Sequence, residues 1–154
     1  MRIALGSDHR GYKQTAHLVD LLGSQGYQTQ WLGTCSEQAC DYPELAWKVG
    51  QAIKAGEADL GILICGTGIG MSIAANKVHG VRAAVVHDEL TAQLSRSHNN
   101  ANVLCLSADL LGERFIDKIV EVWLKTEFEG GRHARRVAKI HAIEEGHDPA
   151  EMKA

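Results

Sequence analysis

Five short apolar runs, each followed by a stretch with helical spacing, constrain this chain more than any other feature. The runs are Arg2 to Gly6, Tyr27 to Leu32, Leu60 to Cys65, Val81 to Val86 and Asn102 to Leu106. Several are almost unbroken, as in Ile62-Leu63-Ile64 and Ala83-Ala84-Val85-Val86. A strand covered on both faces reads that way, which is the habit of a parallel sheet. Between the runs, Tyr12 to Ser24 carries Ala16, Val19 and Leu22 at helical spacing. Pro43 to Ala55 starts with Asp41 near the cap position and Pro43 in the first turn, a good start signal. Gly70 to Lys77, Glu89 to Ser97 and Gly112 to Phe128 supply three more helices. This repetition predicts an α/β fold: a doubly wound, three-layer sandwich around a five-stranded parallel sheet. Gly130-Gly131 then breaks the chain before a last helix, Arg132 to Glu145, with Val137, Ile140 and Ile143 on one side. It falls after the sheet is complete, so it is expected to pack on a partner subunit.

The 154 residues suit one domain, taken as residues 1–146, with residues 147–154 as a frayed tail. A net charge of -3 provides no global basic field for nucleic acid or an acidic membrane. The N-terminus turns polar by Ser7-Asp8, too soon for a signal peptide, and the apolar stretch Leu60 to Ala75 is broken by four glycines and too short to span a bilayer. A cytoplasmic location is expected. Cys35, Cys40, Cys65 and Cys105 form no C-x-x-C pair, so neither zinc nor a redox couple is signalled, and free thiols are expected. Cys105, inside Val103-Leu104-Cys105-Leu106, reads as a small buried hydrophobe; Cys35 and Cys40 read as thiols without a role.

In such folds the ligand sits at the carboxyl ends of the strands. The sharpest feature there is Cys65-Gly66-Thr67-Gly68-Ile69-Gly70, after a strand and opening a helix. Its glycines expose consecutive amides that suit an oxyanion or phosphate, and the same field favours a thiolate at Cys65. No Walker A loop is present. A dinucleotide fingerprint starting at Gly66 would need glycine where Met71 stands, although Asp88 lies about twenty residues beyond the loop. A nucleotide- or phosphosugar-binding module therefore stays open as an alternative. A phosphoreceiver does not, because the third strand ends in Cys65 rather than an aspartate.

With that loop in place, the chain resembles the ribose-5-phosphate isomerase B family, which also includes galactose-6-phosphate isomerase subunits. The resemblance runs from Ile3 to about Ile143. It is carried by Gly6-Ser7-Asp8-His9-Arg10-Gly11, Asp41-Tyr42-Pro43, the Cys65 loop, Ala74-Ala75-Asn76-Lys77, Ser95-Arg96-Ser97-His98-Asn99, Asn102-Val103-Leu104 and Gly130-Gly131-Arg132-His133-Ala134-Arg135-Arg136-Val137. It implies a Rossmann-like fold, a metal-free and cofactor-free aldose–ketose isomerase working through an enediol, and a homodimer or tetramer whose active sites draw on two subunits. The implied substrate is ribose 5-phosphate, with a six-carbon phosphosugar such as allose or galactose 6-phosphate as the alternative.

The resemblance also implies roles. Cys65 matches the base that removes a proton from C2 and returns it at C1. Some relatives use a glutamate on the far side of the loop, where this chain has Met71. His98 matches the residue that opens the furanose ring, with Asp8 and Tyr42 linked to that step. Thr67, Asn99 and the amides of Gly66, Gly68, Ile69 and Gly70 match the enediolate pocket. His9, Arg132 and Arg136 match phosphate contacts. The two arginines are four apart and share a helix face. One departure stands out: Asp109 occupies the place of a usual phosphate-binding arginine, so another cation such as Arg10 or Arg135 must substitute, or the substrate lies differently.

Overall fold

The computed structural model describes residues 1–33 and 36–152. Five strands alternate with six helices: β1 Arg2–Ser7, α1 Tyr12–Ser24, β2 Gln28–Trp31, α2 Tyr42–Lys54, β3 Leu60–Cys65, α3 Ile69–Ala75, β4 Ala83–Val85, α4 Glu89–Ser97, β5 Val103–Ser107, α5 Glu113–Lys125 and α6 Arg132–Glu144. Every strand pairing is parallel, in the order β2-β1-β3-β5-β4. The predicted three-layer α/β sandwich is therefore the observed one.

The apolar runs divide by strand alternation. Ile3, Leu5, Ile62, Ile64, Leu104 and Leu106 face one layer, where they meet Leu18 and Leu22 of α1 and Ile116, Ile119, Val120 and Trp123 of α5. Ala4, Leu63, Cys65, Val103 and Cys105 face the other, against Leu45, Ala46 and Val49 of α2 and Met71 and Ala75 of α3. Residues alternate between faces with period two, and both faces are covered, so the runs read as continuous apolar stretches.

Three elements are shorter than the sequence expectation by two residues or more. β4 keeps only Ala83–Val85 of the expected Val81 to Val86, and β2 only Gln28–Trp31 of Tyr27 to Leu32. Both are edge strands with a partner on one side only. α5 stops at Lys125 instead of Phe128. Thr126 turns extended at φ -83, ψ 126, and its hydroxyl donates to the Val122 carbonyl, so the chain leaves the helix there. It then crosses towards α4, where the Glu129 amide donates to the Ser97 carbonyl.

α6 buries His133, Val137 and Ala142 within the chain. The expected apolar side is only partly used: Ile140 is 41% exposed and Ile143 60%. Beyond it, the His147 amide donates to Ala142, and the Ala150 amide donates to the Asp148 carboxylate. Cys35 lies outside the described residues. No helix among them is long and apolar enough to cross a membrane.

Candidate active site

β1, β3 and β5 are neighbours, so Asp8, Cys65 and Ser107 end side by side at the carboxyl edge. The Asp8 carboxylate accepts the amides of Arg10 (3.0 Å) and Gly11 (3.2 Å), a turn that opens α1. Gly11 is required by close approach rather than by its backbone angles. A Cβ there would sit 2.5 Å from the Ile64 carbonyl oxygen, one residue before Cys65. Gly11→Ala must push α1 away from β3, so we expect a loss of about 1–3 kcal/mol in urea unfolding together with impaired activity.

Cys65 is buried, and its Sγ accepts the Gly68 amide at 3.2 Å. Gly68 makes this possible by capping α3 with φ 77, a left-handed conformation that glycine adopts without strain. Ala108 and Asp109 donate their amides to the Cys65 and Gly66 carbonyls, and the Ser107 hydroxyl also donates to Gly66. The turn is thus held from its carbonyl side. Thr67 Oγ accepts the Ile69 amide, and the Tyr42 ring lies against Gly70, where a Cβ would come within 2.5 Å of it. His9 Nδ1 accepts the Cys40 amide at 3.4 Å. Asp8, His9, Tyr42, Cys65, Thr67 and the glycine amides therefore form one group.

Cys105 supplies the contrast. It is fully buried two residues from the end of its strand, and burial, reinforced by the nearby Cys65, pushes its thiol well above the ordinary range. It stays a neutral core thiol, as its apolar run implies. Asp88 is likewise accounted for. Its carboxylate caps α4 by accepting the Thr91 amide at 2.7 Å, which holds its pKa below the usual value. That occupied carboxylate weakens the nucleotide-binding alternative.

The remaining residues of the expected site lie at the other edge. α4 runs back to the amino-terminal edge, where His98 caps it and Asn99 precedes the start of β5. The length of β5 alone separates the two edges by about 13 Å. The His98 ring stacks on His133 (4.0 Å between centroids, 8° between planes), with Glu129 close to both. Arg132 donates to His133 from the first turn of α6, and Arg136 is exposed one turn on. Asn99 lines a cleft of about 640 Å³ between α6 and the start of β4. Within one chain, His98, Asn99, Arg132 and Arg136 do not meet Cys65.

Two half-buried arginines shape this second group. Arg82 donates twice to the Asn100 carbonyl, while Arg96 lies over the Trp123 ring and donates to the Ala101 carbonyl. They hold the bend at Asn100, whose φ is 47, and so fix His98 and Asn99. Sequence reasoning assigned no role to Glu129, His133, Arg82 or Arg96. Two of them had a visible signal: His133 sits beside Arg132 in the Gly-Gly motif, and Arg96 lies in Ser95-Arg96-Ser97-His98-Asn99.

His98, Glu129 and His133 bring three possible ligand atoms within 4.8 Å of one another. The parallel rings aim their nitrogen lone pairs side by side, whereas one metal ion must lie near both ring planes. A metal would have to unstack them. Burial, then the neighbouring His98 and Arg132, lowers the His133 pKa. With the folded value below the unfolded value of about 6.5, the unfolded chain binds the extra proton first. The contribution of His133 to stability is thus complete above that pH and fades as pH falls below it. Proton NMR should place its titration below that of a free histidine, and the melting temperature should drop with acidification through the same window.

The family model described as Ribose/Galactose Isomerase matches residues 3–140. The chain belongs to this family. Ribose-5-phosphate isomerase B of Escherichia coli is 46% identical over 94% of this chain and 97% of its own. Among solved structures of the family, that of Clostridium thermocellum ribose-5-phosphate isomerase B superposes with a TM-score of 0.94 at 49% identity, covering 95% of this chain and 99% of the other. The Mycoplasma genitalium enzyme, solved with bound ribulose 5-phosphate, gives 0.90 at 45% identity, covering 94% and 96%.

Proposed function

We propose that this chain is a ribose-5-phosphate isomerase that moves a proton between C2 and C1 of the sugar. The observation that carries the reading is Cys65 Sγ at the carboxyl edge, on the glycine turn and held by the Gly68 amide. A weak carbon acid needs a positioned base and aimed donors for the oxyanion that develops. The cysteine and the amides after it meet both needs.

The furanose ring opens first, with His98 and Asp8 exchanging protons at the ring oxygen and anomeric hydroxyl. The Cys65 thiolate then takes the C2 proton. The C–H electrons form the C1–C2 double bond, and the C1 carbonyl becomes an enediolate oxygen facing Thr67, Asn99 and the loop amides. Reprotonation at C1 by the Cys65 thiol, with the O2 proton passing to O1, gives the ketose. His9, Arg132 and Arg136 hold the phosphate. No metal or cofactor is needed for these steps.

Because His98, Asn99, Arg132 and Arg136 sit at the edge opposite Cys65, a complete site requires a second copy. We place the contact on the exposed Ile69, Ile73, Leu90, Leu94, Ile140 and Ile143, in a homodimer or a tetramer built from it. A cytoplasmic location and a role without nucleic acid or membrane fit the modest negative charge.

A panel of phosphorylated aldoses assayed in deuterium oxide tests this reading. Ribose 5-phosphate should give ribulose 5-phosphate with solvent deuterium at the transferred position. Turnover confined to a six-carbon phosphosugar would move the substrate assignment. Binding without any exchange at C2 would remove the isomerase reading.

A further inference from the structure

Above the Cys65–Gly66 turn lies an ion pair that joins the ends of two strands. Arg10 Nε donates to Asp109 Oδ1 at 3.0 Å, and its terminal nitrogen sits 2.8 Å from Asp109 Oδ2. The partners are 99 residues apart in sequence, one just after β1 and the other just after β5. The pair crosses directly over Gly66: a Cβ there would lie 2.9 Å from Asp109 Oδ2 and 3.2 Å from Arg10 Cδ.

Both ends are anchored. Asp8 accepts the Arg10 amide, and the Asp109 amide donates to the Gly66 carbonyl. Asp109 engages two of the five guanidinium N–H donors and leaves three on the opposite edge of the fork. The Arg10 side chain is 54% exposed. Exposed ion pairs add little to stability, so the bidentate geometry is better explained by what it orients.

We propose that Arg10 receives the phosphoryl group of the substrate, and that Asp109 is the positioning residue holding its guanidinium over the Cys65 turn. This rests on the phosphosugar reading above. In that arrangement the carboxylate does not face the incoming dianion, because its two oxygens are committed to Arg10. The free edge of the fork presents the charge instead. A planar, always-charged fork suits a phosphoryl group better than a flexible ammonium does.

Two measurements on the full-length chain separate the possibilities: initial rates with ribose 5-phosphate and calorimetric titration with inorganic phosphate. Arg10→Ala should weaken both KM and phosphate binding by about tenfold or more, with kcat changed less than about threefold. Arg10→Lys should recover part of that loss, since it restores the charge without the fork. Asp109→Ala should shift KM and phosphate binding the same way as Arg10→Ala, by a smaller factor, with the melting temperature unchanged.

Unchanged KM and phosphate binding in Arg10→Ala would overturn the proposal. So would tighter phosphate binding in Asp109→Ala, which would mean the carboxylate opposes the anion. A wild-type chain that does not bind phosphate also overturns it. The titration needs no turnover, so a wild type inactive on every aldose but losing phosphate with Arg10→Ala would sink the isomerase reading alone.

Discussion

Cys65→Ala is expected to bind ribose 5-phosphate with nearly wild-type affinity and to lose isomerisation by about a thousandfold or more. That factor corresponds to about 4 kcal/mol of transition-state stabilisation. The buried Cys105 cannot take over the reaction. Cys105 lies beneath the sheet surface with its thiol held neutral, and Met71 stands where a second base could have been. The fold should tolerate the change, because alanine leaves only a small gap and the Gly68 amide can turn to solvent or ligand. Single-turnover kinetics beside equilibrium binding would separate the effects. A variant retaining wild-type rates would show that the thiol does not move the proton.

The second large effect is restoration rather than loss. Cys65→Ala and His98→Ala damage opposite edges of the sheet, and each should be nearly inactive alone. If the working site joins the carboxyl edge of one chain to the amino-terminal edge of another, mixing them creates hybrids with one intact site. Random exchange of equal amounts should return about a quarter of the wild-type activity for a symmetric dimer. The mixture must first be dissociated and reassembled, and its rate followed over time. Activity no greater than the sum of the two separate variants would mean that Cys65 and His98 serve the same chain or different processes.

Much of this arrangement can be read in the sequence because its cause is local. The apolar runs reveal buried strands, since successive residues of Leu60–Cys65 face alternate layers and both are covered. The glycines of the Cys65 turn are legible because the backbone needs a left-handed residue at Gly68 and close approach at Gly70. Strand order is different. β5 lies between β3 and β4, and no periodicity encodes which neighbour a strand will choose. The Arg10–Asp109 bridge is hidden for the same reason: the sequence marks Asp109 as a departure and Arg10 as a candidate cation, but not that the sheet brings the two together. His133 was visible only as one member of a basic cluster. Its stack on His98 depends on the extended segment after Thr126 crossing to α4.

Trp123 illustrates how far such coupling reaches. Its indole nitrogen donates to Ser95 Oγ at 3.2 Å, while its ring face supports Arg96. Those two residues brace the loop that ends at Ala101, where the Ala101 amide returns to the Ser95 carbonyl. A residue deep in the interior of one molecule thus sets the posture of a histidine that, in the assembly proposed above, would serve chemistry next door. Its truncation would injure the neighbour's turnover as well as its own chain's packing, although the indole touches no substrate.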